Sequence, residues 1–171
     1  MTPQIAIYYQ ATGHFLISSY GDLGFNWTTP RLFEVLFGVT KGLFFWSPLL
    51  LLSIIGFAWL WRQGHPARAF MLPAMAILPI HTYFIAAWWD WQLGGSYGSR
   101  GYVDTLPLFA VGLAGFFQRM PATRGVRAAV GLVVGAGCAL SVFQMFQYWY
   151  GIIPISDTTW DLYRSVFLRW R

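Results

Sequence analysis

Apolar residues along this chain gather into four long runs separated by short polar loops. Residues 42–61 carry no formal charge and match the roughly 20 apolar residues an α-helix needs to cross a bilayer. A second run covers 69–89 with Pro73 and Pro79 inside it. A third and shorter run covers 102–117 with Pro107, and a fourth covers 128–150. Prolines in such helices, Pro48 of the first run included, are tolerated because neighbouring helices supply partners for the freed carbonyls. In the fourth run, Gly131-x-x-x-Gly135 has the spacing at which a second helix approaches closely, so this face is expected to be packed.

The flanks are more polar. Ile5–Leu16 is broken by Gln10, Thr12, Gly13 and His14, which predicts an interfacial or re-entrant helix rather than a span. Tyr20–Gly24, with Asp22, reads as a loop. Thr29 then offers an N-cap and Pro30 a first helical position. Leu32, Phe33, Leu36 and Phe37 form an apolar face, and Gly38 a stop. At the other end Trp160, Tyr163, Phe167 and Trp170 recur at helical spacing among Arg164, Arg169 and Arg171, the pattern of an interfacial anchor helix. The expectation is an all-α integral membrane protein, one membrane domain over 1–171. It has an outer-face segment at 1–41, four transmembrane helices within 42–150, and an outer-face amphipathic tail at 151–171.

Composition sharpens this. The chain is 57% hydrophobic and 10% charged, where a soluble domain is about a quarter charged. A net charge of +5 suggests nucleic acid, but there is no basic stripe, and the arginines sit at the ends of apolar runs as orientation signals. The single cysteine, Cys138, lies within an apolar run and is expected to act as a small buried hydrophobe, with no disulfide within the chain. Met1-Thr2-Pro3-Gln4 lacks the positive region of a signal peptide. Arg62, Arg68, Arg119, Arg124 and Arg127 place the 62–68 and 119–127 loops on the cytoplasmic side. The 88–100 loop and both ends then share the outer face, periplasmic in a bacterium.

The 88–100 loop is where charge, glycine and aromatic rings meet. Trp88, Trp89 and Trp91 surround Asp90, the arrangement of a membrane–water boundary. Gly94, Gly95 and Gly98, with Ser96 and Tyr97 between them, permit backbone geometries that turn amides toward an anion. Arg100 follows, with a fork that fits a phosphate. Asp104, four residues on, is placed to pair with it across one helical turn. Trp88, Trp89, Asp90, Gly94, Gly95, Ser96, Tyr97, Arg100 and Asp104 are therefore the expected contacts to a lipid-linked substrate. His81 in the second run is expected to be neutral and bonded to a neighbouring helix. His14, Asp22 and Asp90 share a face but lack metal-ligand spacing. No Ser/His/Asp triad, nucleophile elbow or Walker loop is present.

The succession Pro3-Gln4, Lys41-Gly42-Leu43-Phe44-Phe45-Trp46-Ser47-Pro48, then Trp88, Gly94-Gly95-Ser96-Tyr97-Gly98-Ser99-Arg100-Gly101-Tyr102-Val103-Asp104 and Leu106-Pro107 resembles the C-terminal part of bacterial glycosyltransferases of the C superfamily (GT-C). These are relatives of dolichyl-phosphate-mannose protein mannosyltransferases and lipid A aminoarabinose transferases. The resemblance implies a polytopic helical fold in the bacterial inner membrane and a polyprenyl-phosphate-linked sugar donor taken at the outer face. It also implies transfer to a lipid, glycan or protein, with further helices of a longer chain or a partner subunit alongside. By that analogy Arg100 and the glycine turn hold the donor phosphate, and the tryptophans border the isoprenoid groove. The family's catalytic acid sits in an outer loop near its N-terminus that this chain does not contain. The resemblance thus implies a donor-side portion, inactive alone, with no catalytic residue of its own singled out. Sugar transfer needs a base at the acceptor and positive charge or a divalent cation at the departing phosphate. The competing expectation is a small non-catalytic membrane subunit that binds a lipid head group or a partner protein.

Overall fold

A computed structural model describes residues 2–15, 23–62, 68–121 and 123–170. The described residues are helices and loops, with one isolated antiparallel bridge between Phe25 and Trp88. The elements are α1 (Thr2–Thr12), α2 (Leu32–Phe37), α3 (Leu43–Trp46), α4 (Leu50–Arg62), α5 (Arg68–Ala87), a 3-10 turn (Arg100–Thr105), α6 (Leu106–Arg119), α7 (Arg124–Trp149) and α8 (Trp160–Val166). Residues 20–22 of the expected loop, Asp22 included, and residues 63–67 of the 62–68 loop lie outside the described residues.

The all-helical reading is correct, but the four runs do not become four equal helices. The first breaks at Pro48, which has no N–H to give and crowds the preceding turn. α3 ends at Trp46, tight turns join Leu50 to Ser47 and Leu51 to Pro48 through backbone bonds, and α4 keeps 13 residues, about 20 Å of helix. The third run starts as the 3-10 turn, so α6 has 14 residues with Pro107 in its first turn. The second run forms the 20-residue α5 straight through Pro73 and Pro79. Among the described residues α7, with 26, is the one helix long and apolar enough to cross a membrane.

α2 starts two residues later than Thr29 and Pro30 suggest. The Arg31 amide donates to the Ala86 carbonyl and the Asn26 amide to the Ala87 carbonyl, so the chain before α2 is spent pairing with the end of α5. Gly38 does stop the helix. Val35 faces inward with Leu36 partly buried beside it, while Leu32, Phe33 and Phe37 of the expected apolar face are exposed.

α4 and α6 form the tightest pair. Ser53 Oγ donates to the Phe109 carbonyl at 2.6 Å. A Cβ at Gly56 would strike the Gly112 carbonyl, one at Gly112 would strike Ser53, and one at Gly115 would meet Leu60. Contacts therefore advance from 53 and 109 to 60 and 115 in step, and the two helices run parallel, with α5 as the returning crossover. Val35, Leu43, Ile85, Ala86, Trp91, Tyr102 and Phe109 form the core at the end where both helices begin. Phe57, Leu60 and Met71 form a second cluster toward the other end.

Two expectations about α7 are overturned. No atom lies within 4 Å of a Cβ built at Gly131 or Gly135, so the small-residue face is open and close approach occurs at Gly56 and Gly112 instead. Cys138 is exposed rather than buried. The tail is also more than an anchor. Val166 and Ile153 pack on Trp46, and Gln147 of α7 donates to the Val166 and Arg169 carbonyls.

These glycine environments set a stability contrast. Gly56→Ala should destabilise the chain by about 1–3 kcal/mol through overpacking. Gly131→Ala, facing open space, should be neutral or stabilising by up to about 1 kcal/mol. Reversible unfolding of both variants in mixed micelles reads the difference.

Candidate lipid head-group site

The last turns of α5 carry the scaffold on which Arg100 stands. His81 Nε2 lies 2.7 Å from the Gly101 carbonyl oxygen. A carbonyl only accepts, so Nε2 carries the proton, and the expected bond to a neighbouring element is present. The buried Tyr102 hydroxyl donates to Thr82 Oγ1 at 2.9 Å, and Thr82 in turn to the Leu78 carbonyl. Two successive residues of α5 thus hold two successive residues of the 3-10 turn.

That turn changes what Arg100 faces. In a 3-10 helix, residues four apart are about 120° apart around the axis rather than on one face. Arg100 and Asp104 are both exposed, and no ion pair joins them, contrary to the pairing expected from an α-helical start.

Two depressions flank the loop. A cleft of about 210 Å³ is lined by Tyr97, Gly98, Ser99 and Arg100 from the loop side and by Leu43, Ser47 and Leu50 opposite. A more open, apolar groove of about 300 Å³ is walled by Phe25, His81, Phe84, Ile85, Trp88 and Leu93. Between them the backbone turns back at Leu93 and Gly94, with φ of 55° and 70°, and again at Gly98, with φ of 62°. A Cβ at Gly94 would lie 3.8 Å from Arg100 Nη2.

The expected residues divide accordingly. Tyr97 and Arg100 line the cleft and Trp88 the groove. Gly95 is packed under Ile155 of the tail. Trp89 and Asp104 are exposed and Asp90 is half-buried, and none of the three lines either depression. Burial pushes the Tyr97 phenol up to about 12, reinforced by Tyr163 beside it.

The residue the sequence reading passed over is Lys41, quoted there only as part of a resemblance. It is 3% exposed, its ammonium donates to the Ser96 carbonyl, and it sits 5.5 Å over the Tyr148 ring. Burial lowers its pKa, Arg100 lowers it further, and Asp90 partly opposes both. The available clue was that Lys41 is the one lysine among 11 basic residues, placed where an arginine's weaker hydration would suit burial better. Lys41 and Arg100 are thus like charges held close enough to repel, next to hydroxyls and glycine backbone. Such a site is suited to an oxyanion. Among the described residues no group of three His, Cys, Asp or Glu gathers to hold a metal, and Asp22 of the sketched His14–Asp22–Asp90 set lies outside them. No protein-family model, curated protein or solved structure matches this chain.

The Lys41 shift fixes a pH dependence. The unfolded chain holds the lysine proton up to the ordinary value of 10.5, and the folded chain releases it earlier. In the window between, the unfolded state binds more protons, so stability climbs as pH rises and is lowest once both states are protonated. Unfolding midpoints should rise as pH climbs toward the ordinary lysine value of 10.5, and Lys41→Met should abolish that rise.

Proposed function

We propose that this chain is a multi-pass protein of the bacterial inner membrane. In this reading it binds the phosphate of a polyprenyl-phosphate-linked sugar at the outer face, as the donor-side portion of a GT-C-like glycosyltransferase. The observation that carries the reading is Arg100 at a cleft lined by the hydroxyl residues Ser47, Tyr97, Ser99 and Tyr102, with the like charge of buried Lys41 bonded to Ser96 in the same loop, which also walls an apolar groove. A ligand with an anionic head and a long apolar tail fits that combination: the head relieves the repulsion, and the tail covers Trp88 and Phe84. The resemblance noted above supplies the sugar and the transfer. In the multi-pass arrangement α5 and α6, with α4 continued by α3, cross beside α7. The arginine-bearing ends face the cytoplasm, and the 88–100 loop faces the periplasm.

One observation favours a second reading, a non-catalytic subunit that only binds the lipid head. Neither Asp90 nor Asp104 lines the cleft, so among the described residues no carboxylate stands there to act as a base.

Binding of a polyprenyl phosphate to the full chain in nanodiscs tests the proposal. Arg100→Ala and Lys41→Met should each weaken binding by about tenfold or more, the worth of a charge-assisted contact, while Asp104→Asn leaves it unchanged. Unaltered affinity in Arg100→Ala sinks the phosphate role.

A further inference from the structure

The opposite end of the α4–α6 pair holds a second cleft. Trp59 and Leu60 on α4 and Gly115, Gln118 and Arg119 on α6 line a space of about 180 Å³. Because the helices run parallel, both of their C-terminal turns meet here, one ending in Arg62 and the other in Arg119. α7 starts from the same end, with Arg124 and Arg127 in its first turns. The chain's six acids, Asp22, Glu34, Asp90, Asp104, Asp157 and Asp161, all fall in other segments. Residues 35–89 and 105–156 contain no carboxylate.

Arginines in the last turns of helices also complement the helix dipole. That accounts for Arg62 and Arg119 singly but not for an open space between the helices, floored by Gly115 and walled by an indole. Trp59 stacks flat on Phe116, with centroids 5.3 Å apart and planes within 6°, which fixes the apolar wall of the cleft. An amphipathic indole beside a guanidinium and an amide, at the end of apolar helices, matches a lipid glycerophosphate entering from the bilayer.

We propose that this cleft binds the phosphate of an anionic membrane phospholipid, in the leaflet opposite the Arg100 site. Arg119 and Gln118 contact the phosphate and Trp59 packs on the glycerol and upper acyl chain. The proposal rests on the chain lying in a membrane and is independent of the donor-lipid reading.

Native mass spectrometry of the full chain released from detergent micelles tests it, with phosphatidylglycerol, phosphatidylcholine and inorganic phosphate as separate probes. Phosphatidylglycerol should be retained and phosphatidylcholine not. Arg119→Gln should cut retention about tenfold, the scale of one charge-assisted contact. Gln118→Glu, an exposed change that adds a repelling charge without disturbing packing, should do the same and carries the test if Arg119→Gln fails to fold. Equal retention of phosphatidylcholine overturns the proposal. So does undiminished retention in Gln118→Glu, or displacement by millimolar inorganic phosphate alone. Loss in Arg100→Ala instead would place the lipid at the loop end and equally overturn it.

Discussion

Around the ammonium of Lys41 one end of this molecule is arranged. Withdrawing such a charge from water costs several kcal/mol even after relaxation. The Ser96 carbonyl returns about 1.5–3 kcal/mol, and the Tyr148 face adds about 0.5–2 kcal/mol. Arg100 works against both. The balance is poor for a purely structural feature, and it ties three distant parts of the chain together: the α2–α3 connection, the 88–100 loop and the end of α7. Folding alone does not explain why a lysine stands there, whereas an anion arriving at the neighbouring cleft would change the sign of the local balance.

The loop that Lys41 grips is fixed from the other side by α5. His81 and Thr82 hold Gly101 and Tyr102, so Arg100 projects from a clamped turn rather than from a free loop. Side chains of this pair also divide the two depressions: His81 belongs to the apolar groove, Tyr102 to the cleft. His81, in the groove, is thus one peptide away from Arg100, in the cleft.

Hydropathy made the helices legible, glycine and aromatic content marked the 88–100 loop, and Gly38 announced its own helix stop. What failed were inferences that need a neighbour. Pro48 can be absorbed or can break a helix, depending on whether nearby groups satisfy the backbone, and here it breaks it. Gly131 and Gly135 have the spacing of a packed face, but spacing does not say which helix is close, and α6 chose Gly56. The 3-10 winding at Arg100–Thr105 dissolved the Arg100–Asp104 pair, since that pairing was computed on a 3.6-residue turn. Lys41 was hidden because burial of a charge is set by tertiary partners lying 55 and 107 positions away at Ser96 and Tyr148.

The parallel register of α4 and α6 has a consequence for how the chain is made. The Ser53 hydroxyl and its acceptor at Phe109 are separated by 56 residues, with α5 running the opposite way between them. The pair cannot close until the crossover is complete, so until then the glycine groove of α4 is bare. During that interval Ser53 has only the preceding turn of its own helix to bond to. The union of α4 and α6 is thus a contact of high sequence separation, which loop closure makes slow to form. The final step exchanges a bond within one helix for a bond between two.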